Sequence, residues 1–166
     1  LTDLASTYEQ SAALVERCRE GNIRITTAES CTGGLIAAAL TEVPGSSAAL
    51  KRAFVAYSND AKVEMLGVRP DLIDQFGAVS REVVVAMADG ALAHSASDIA
   101  IAVSGIAGPG GGSEEKPVGL VFFACAMRGR PTMAREERFG DIGRSGVRLA
   151  SVKAALTLIE DRIGGL

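Results

Sequence analysis

The sequence predicts a single layered α/β domain with a mixed sheet, and three observations carry that prediction. Apolar positions alternate along the chain between helical spacing and short β-branched runs, the pattern of helices interleaved with strands. Two polar, glycine-rich stretches, Glu29–Gly34 and Ser104–Gly112, each directly follow an apolar run, the place where ligand loops sit at the carboxyl ends of sheet strands. Late in the chain Val118–Met127 and Thr132–Phe139 read as strands joined by a Gly129-Arg130-Pro131 turn, which makes that pair antiparallel.

The elements follow in order. Leu1–Arg19 reads as a polar-faced helix with Leu4, Tyr8, Ala12, Val15 and Cys18 at helical spacing and Gly21 as its C-terminal cap. Ile23–Ala28 is short and β-branched and reads as a strand. Glu29–Gly34 is the turn into a small-residue helix over Leu35–Val43, which Pro44-Gly45-Ser46-Ser47 ends. Ala53–Ser58 is a second strand, followed by a short helix near Ala61–Leu66. Pro70 opens another helix at its first position and Gly77 closes it. Ser80 caps an amphipathic helix carrying Val83, Val84, Met87, Ala91 and Leu92. Asp98–Val103 is a strongly apolar strand. Ser145–Ile163 closes the chain as a helix with Val147, Ala150, Val152, Ala154, Ala155, Leu158 and Ile159 towards the core. No repeat, linker or low-complexity tail interrupts the 166 residues, so 1–166 reads as one domain.

Composition excludes several classes of function. With 48% apolar and 22% charged residues the chain is too apolar for intrinsic disorder. A net charge of −3 and 4% aromatics, with no Trp, supply neither the electrostatics nor the stacking platforms of a nucleic-acid binder. Val118–Met127 falls short of the roughly 20 residues that span a bilayer, and no signal peptide is visible, so no membrane partner is expected. The chain opens on Leu1 rather than Met, which leaves an upstream start open. Cys18, Cys31 and Cys125 are widely spaced, without a C-x-x-C pair, and His94 stands alone. Neither a disulfide framework nor a metal site is expected, and reduced thiols fit a cytoplasmic protein.

The chemistry concentrates in the two loops. A helix N-terminus after Glu29–Gly34 favours an anion or a developing oxyanion, and Gly33 and Gly34 let a ligand approach the backbone. Spacing alone favours Ser30 or Thr32 as a helix cap. The glycine loop reads either as a phosphate cradle or as a flexible surface loop, and it matches neither the P-loop nor the Rossmann pattern. Should Ser30 act as a nucleophile, His94 lies inside a helix away from both loops, which turns attention to Lys51, Lys62, Lys116 and Lys153. Lys62 follows Tyr57-Ser58-Asn59-Asp60-Ala61 at the end of a strand, although spacing alone describes it as a solvated helix residue. Cys31 competes with Ser30, because a thiol at a helix N-terminus has a lowered pKa. The residues by themselves leave both nucleophiles open.

Five motifs occur in order: Thr27-Ala28-Glu29-Ser30-Cys31-Thr32-Gly33-Gly34, Tyr57-Ser58-Asn59 with Lys62, Gly77-Ala78-Val79-Ser80, Ser104-Gly105-Ile106-Ala107-Gly108-Pro109, and Glu115-Lys116-Pro117-Val118-Gly119. Together they closely resemble the CinA C-terminal domain family, over nearly the whole chain from Leu4 to Ile163. The resemblance implies a three-layer α/β/α sandwich with a mixed, mostly parallel sheet, often as a homodimer. It implies hydrolysis of nicotinamide mononucleotide to nicotinic acid mononucleotide and ammonia, a step of pyridine-nucleotide salvage, without metal or other cofactor. Carried over, Ser30 is the nucleophile, Lys62 the base and Tyr57 a supporting hydroxyl. Glu29, Cys31, Thr32, Gly33, Gly34, Ser104, Gly105 and Ala107 then surround the substrate, with backbone amides holding the oxyanion and the carboxamide.

Two departures stand out. The family's usual Thr is Ser104 here. The Arg that many members carry immediately after Gly-Asp is displaced, because this chain reads Gly140-Asp141-Ile142-Gly143-Arg144; Arg144 is carried as the phosphate ligand. Longer members add an N-terminal cofactor-synthesis-like domain for which this chain has no room, so a stand-alone module or a fragment is expected. The alternative reading is a non-catalytic nucleotide-binding or interaction module linked to competence or DNA damage.

Overall fold

A computed structural model describes residues 3–165. Leu1 and Thr2, at the start of the expected first helix, lie outside the described residues. A 3-10 turn over Leu4–Thr7 leads into α1 (Tyr8–Glu20), and the chain continues through β1 (Ile25–Glu29), α2 (Leu35–Thr41) and β2 (Leu50–Val55). Helices α3 (Asn59–Leu66), α4 (Pro70–Phe76) and α5 (Arg81–Ala93) follow. Then come β3 (Ile99–Gly105), β4 (Leu120–Met127), β5 (Arg130–Arg138) and the long α6 (Arg144–Gly164).

The sheet order is β2-β1-β3-β4-β5. β1 runs parallel to both β2 and β3, whereas β4 is antiparallel to β3 and β5. Only β4 therefore runs against the rest, and the sheet is mixed with a mostly parallel sense. Alternation along the strands divides the core in two. Ile25, Ile99, Ile101, Val103, Phe123 and Cys125 face α1, α2 and α6. On the opposite face stand Ala28, Ala100, Ala102, Ala124 and Ala126, covered by α3, α4 and α5. Alanine on that face lets α5 lie close to the strands, and its own Gly90 lets α3 approach in turn. A Cβ there would fall 1.8 Å from the Leu66 carbonyl oxygen.

Register puts the polar strand ends on one edge. Glu29 pairs with Val55 on one side and Val103 on the other, so Ser30, Ala56 and Ser104 emerge together. Gly105 pairs with Val121 and Leu120 with Arg138, which opens the glycine loop and the start of α6 at that same edge.

Several boundaries differ from the sequence reading for local reasons. The hairpin turn is Arg128-Gly129, with Gly129 at φ 73° and Arg130 already paired to Met127; a two-residue hairpin needs such a positive φ. Pro131 sits inside β5, an edge strand, where a missing N–H is tolerated. β2 starts and ends about three residues earlier than expected, because Ser58 leaves the strand to cap α3 through Oγ, accepting from the Ala61 amide at 3.1 Å. Tyr8 faces outward at 42% exposure, since the 3-10 turn sets a different phase and Ser11, Leu14, Val15 and Cys18 form the buried row of α1.

Candidate active site

Ser30 is the first residue past β1, and its amide donates to the Val103 carbonyl at 3.0 Å, which locks it to the end of β3. Its hydroxyl meets a lysine. Lys62 lies one turn inside α3 and is 1% exposed, against the sequence expectation of a solvated residue. Its Nζ stands 3.1 Å from Ser30 Oγ and 3.0 Å from each of the carbonyl oxygens of Ala56 and Tyr57. Burial pushes its pKa below the ordinary 10.5, because the ammonium loses water and no carboxylate pairs with it among the described residues. The physics of the site follows from donor counting. A neutral amine has two N–H groups and one lone pair. As an ammonium, Lys62 donates to both carbonyls and to Ser30 Oγ; once neutral, with both N–H groups on the carbonyls, its lone pair faces the Ser30 hydroxyl.

Cys31 is ruled out as a ready thiolate. It is 6% exposed within the apolar layer between sheet and helices, and burial pushes its thiol up to about 12. The lowered pKa expected of a thiol at a helix N-terminus is overridden by this desolvation. Cys18 and Cys125 are buried and free as well.

Glu29 turns inward. Its carboxylate, fully buried, accepts from Thr32 Oγ1 at 2.7 Å, Gly34 N at 3.1 Å, Ile36 N at 3.0 Å and Ala37 N at 2.9 Å. It caps α2 with a full negative charge against the positive end of the helix, so the helix cap expected of Ser30 or Thr32 falls to Glu29. These four donors occupy its two oxygens. The Gly33 amide donates to the Ser30 carbonyl at 3.0 Å and the Gly34 amide to Glu29; neither is free for a ligand. Among the described residues the Cys31 and Thr32 amides bond to no oxygen, and these two remain as the open donors beside Ser30. Gly33 and Gly34 serve the turn, at φ 59° and 95°.

Ser104 Oγ donates to the Ala78 carbonyl at 2.7 Å and is 1% exposed. It ties the Gly77-Ala78-Val79-Ser80 motif to β3 rather than presenting a free hydroxyl. Gly105 has no room for a side chain, since a Cβ would fall 2.6 Å from Val121 Cγ2. Ala107 is buried beside it. The Tyr57 ring is 59% exposed; it is the Tyr57 carbonyl, not the phenol, that meets Lys62. The phenol oxygen accepts from Arg144 Nη2 at 3.2 Å, while Arg144 Nη1 donates to the Gly108 carbonyl at 2.8 Å. Arg144 therefore reaches across the mouth of the site from the first residue of α6. His94 is far from this cluster, at the C-terminal cap of α5, with Nδ1 on the Gly90 carbonyl.

One residue escaped the sequence reading. Arg148, one turn after Arg144 on α6, donates from Nη2 to the Thr32 carbonyl at 3.0 Å. Its spacing from Arg144 was the available signal. Among the described residues no group of three or more His, Cys, Asp or Glu is arranged to hold a metal.

The fold and site define an α/β sandwich domain with a buried Ser–Lys pair at the carboxyl edge of a mixed sheet. The chain belongs to the family described as CinA C-terminal domain, whose profile matches residues 7–163. It is 54% identical over 133 residues to a protein of Escherichia coli K12 named nicotinamide-nucleotide amidohydrolase PncC, covering 80% of this chain and 79% of that one. It is 46% identical over 150 residues to a CinA-like protein of Akkermansia muciniphila, of which it spans only 36%. Among solved structures, a competence/damage inducible protein of Agrobacterium tumefaciens superposes with a TM-score of 0.91 at 51% identity, with 93% of both chains covered.

Proposed function

We propose that this protein hydrolyses the carboxamide of nicotinamide mononucleotide, with Ser30 as nucleophile and Lys62 as general base. The observation that carries the reading is the 3.1 Å contact between Lys62 Nζ and Ser30 Oγ, beside two carbonyl acceptors that can hold both hydrogens of the neutral amine. The identity to the amidohydrolase of E. coli supports the choice of substrate.

In this reading Lys62 takes the Ser30 proton as Oγ attacks the carboxamide carbon. The carbonyl oxygen becomes anionic and receives the free Cys31 and Thr32 amides. Collapse expels the amide nitrogen, which takes the proton back from Lys62 and leaves as ammonia. A water then enters, Lys62 removes its proton, and hydroxide attack on the acyl-Ser30 ester releases the carboxylate and restores the serine hydroxyl. Arg144, facing the mouth between Tyr57 and Gly108, receives the phosphate. No step calls for a metal or a cofactor. The same reading places the protein in the cytoplasm as a homodimer acting on a small nucleotide.

Ammonia release from nicotinamide mononucleotide tests it, with and without EDTA. Wild type and Cys31→Ala are expected to turn over in EDTA, and wild type to stay active after iodoacetamide, whereas Ser30→Ala is expected to be inert. Folded wild type that binds the nucleotide in calorimetry yet releases no ammonia overturns the reading in favour of a binding module.

A further inference from the structure

Arg148 is a half-buried cation whose donors are largely unused. Its Nη2 has the Thr32 carbonyl, but its Nε is buried without a partner, and it forms no ion pair among the described residues. Arg162 shares the buried, unpartnered Nε, with Nη2 on the Pro131 carbonyl, at the far end of α6, whereas two other arginines are better satisfied. Arg128 donates to the carbonyls of Ser97, Leu92 and Ser95, and Arg130 puts two donors on the Gly165 carbonyl. An under-satisfied guanidinium costs stability, and what sets Arg148 apart is where it stands, on the carbonyl of Thr32 two residues after Ser30.

The surroundings are shaped to admit it. A Cβ on Gly33 would stand 3.3 Å from Arg148 Nη2, and Gly33 is at φ 59°, so glycine both makes the turn and leaves space for the guanidinium over it. Thr32 is thereby held by three contacts: Oγ1 donates to the Glu29 carboxylate, and the carbonyl accepts from Arg148 Nη2 at 3.0 Å and from the Leu35 amide at 3.2 Å. What these contacts leave free is the Thr32 amide and, before it, that of Cys31. Arg148 also favours negative charge in this loop, since its field opposes the rise of the Cys31 pKa.

We propose that Arg148 is the positioning residue of the oxyanion site: by gripping the Thr32 carbonyl it aims the Cys31 and Thr32 amides at the oxygen that turns anionic, and it lends that oxygen its positive field. The inference rests on the amidase reading above. Loss of a direct oxyanion donor costs about 10²–10³ in kcat, and a residue acting through one peptide should cost less.

The test compares wild type, Arg148→Gln and Arg148→Lys for ammonia release from nicotinamide mononucleotide, with melting temperatures taken alongside. Arg148→Gln is expected to lose about ten- to a hundredfold in kcat, with KM within about threefold. Arg148→Lys should recover part of that loss, since it restores charge but not the planar fork. Should the Gln variant melt early, the kcat of a normally melting Lys variant, intermediate or wild-type, decides the matter. A raised KM with kcat intact would make Arg148 a phosphate ligand instead, and unchanged kinetics in both variants would leave it purely structural; either result overturns the proposal. Inactivity of folded wild type sinks the amidase reading itself, and is told apart by appearing before any substitution.

Discussion

At the scale of single residues, Lys62 is the unusual one. It ranks among the largest fully buried side chains of the protein, in a position where charged groups are rarely found without a partner. Its two carbonyl acceptors favour the ammonium over the neutral amine, but burial acts against charge and is the larger effect, so the pKa is lowered. Activity should therefore rise with pH along a limb that lies below 10.5, as the lone pair facing Ser30 is uncovered. Lys62→Met should remove that limb and lower turnover by about two to four powers of ten, the usual range for a lost general base. A pH–rate profile of both proteins checks this, and a Lys62→Met variant that keeps the wild-type limb would move the base elsewhere. The role proposed for Lys62 was legible only through family motifs; its burial was not, because helical spacing around Asn59–Leu66 does not say which way a lysine points.

At the scale of elements, the contact of α3 with α5 depends on one missing methyl group. Gly90 lies inside α5, where helix propensity alone would favour alanine by about 0.8–1.0 kcal/mol. The Cβ would nevertheless overlap the Leu66 carbonyl at 1.8 Å, and backbone cannot rotate out of the way as a side chain can. Gly90→Ala is thus expected to lose about 1–3 kcal/mol overall, read from the shift of the urea midpoint. A stabilised variant would show that α3 is free to slide, and with it Lys62. The element order, the caps at Ser58 and Ser80 and the proline start of α4 were all legible, because they depend on local backbone chemistry. β5 begins at Arg130, two residues before the expected Thr132, since cross-strand pairing rather than the local Gly-Arg-Pro string sets where it starts.

At the scale of the whole molecule, the buried lysine couples site and stability. Its native pKa lies below the unfolded value near 10.5, so between the two the unfolded chain binds more protons than the native one. Stability must rise with pH across that window and carry the full penalty below it. Melting temperatures of wild type should climb from the lowered native pKa towards 10.5 relative to Lys62→Met, whose curve lacks this contribution. Parallel curves for the two proteins would mean that Lys62 folds without a shifted pKa. The same tension runs through the site at large: a buried amine and an under-satisfied Arg148 are each unfavourable, and two well-filled apolar layers on either side of the sheet hold them in place.

The sequence by itself determined the alternation of helices and strands, the two loops at strand ends, the absence of a second histidine and the motif set that marks the family. These are properties of neighbouring residues, written in periodicity, caps and composition. The tertiary structure alone decided which side chains do what at the edge of the sheet. It turned Glu29 inward as a helix cap, buried Cys31 and raised its pKa, gave the Tyr57 carbonyl to Lys62 and its phenol to Arg144, and brought Arg148 from more than a hundred residues away onto Thr32. The reason is physical: each of these roles depends on burial and on partners distant in sequence, and neither exists until strand register and helix packing have set the distances.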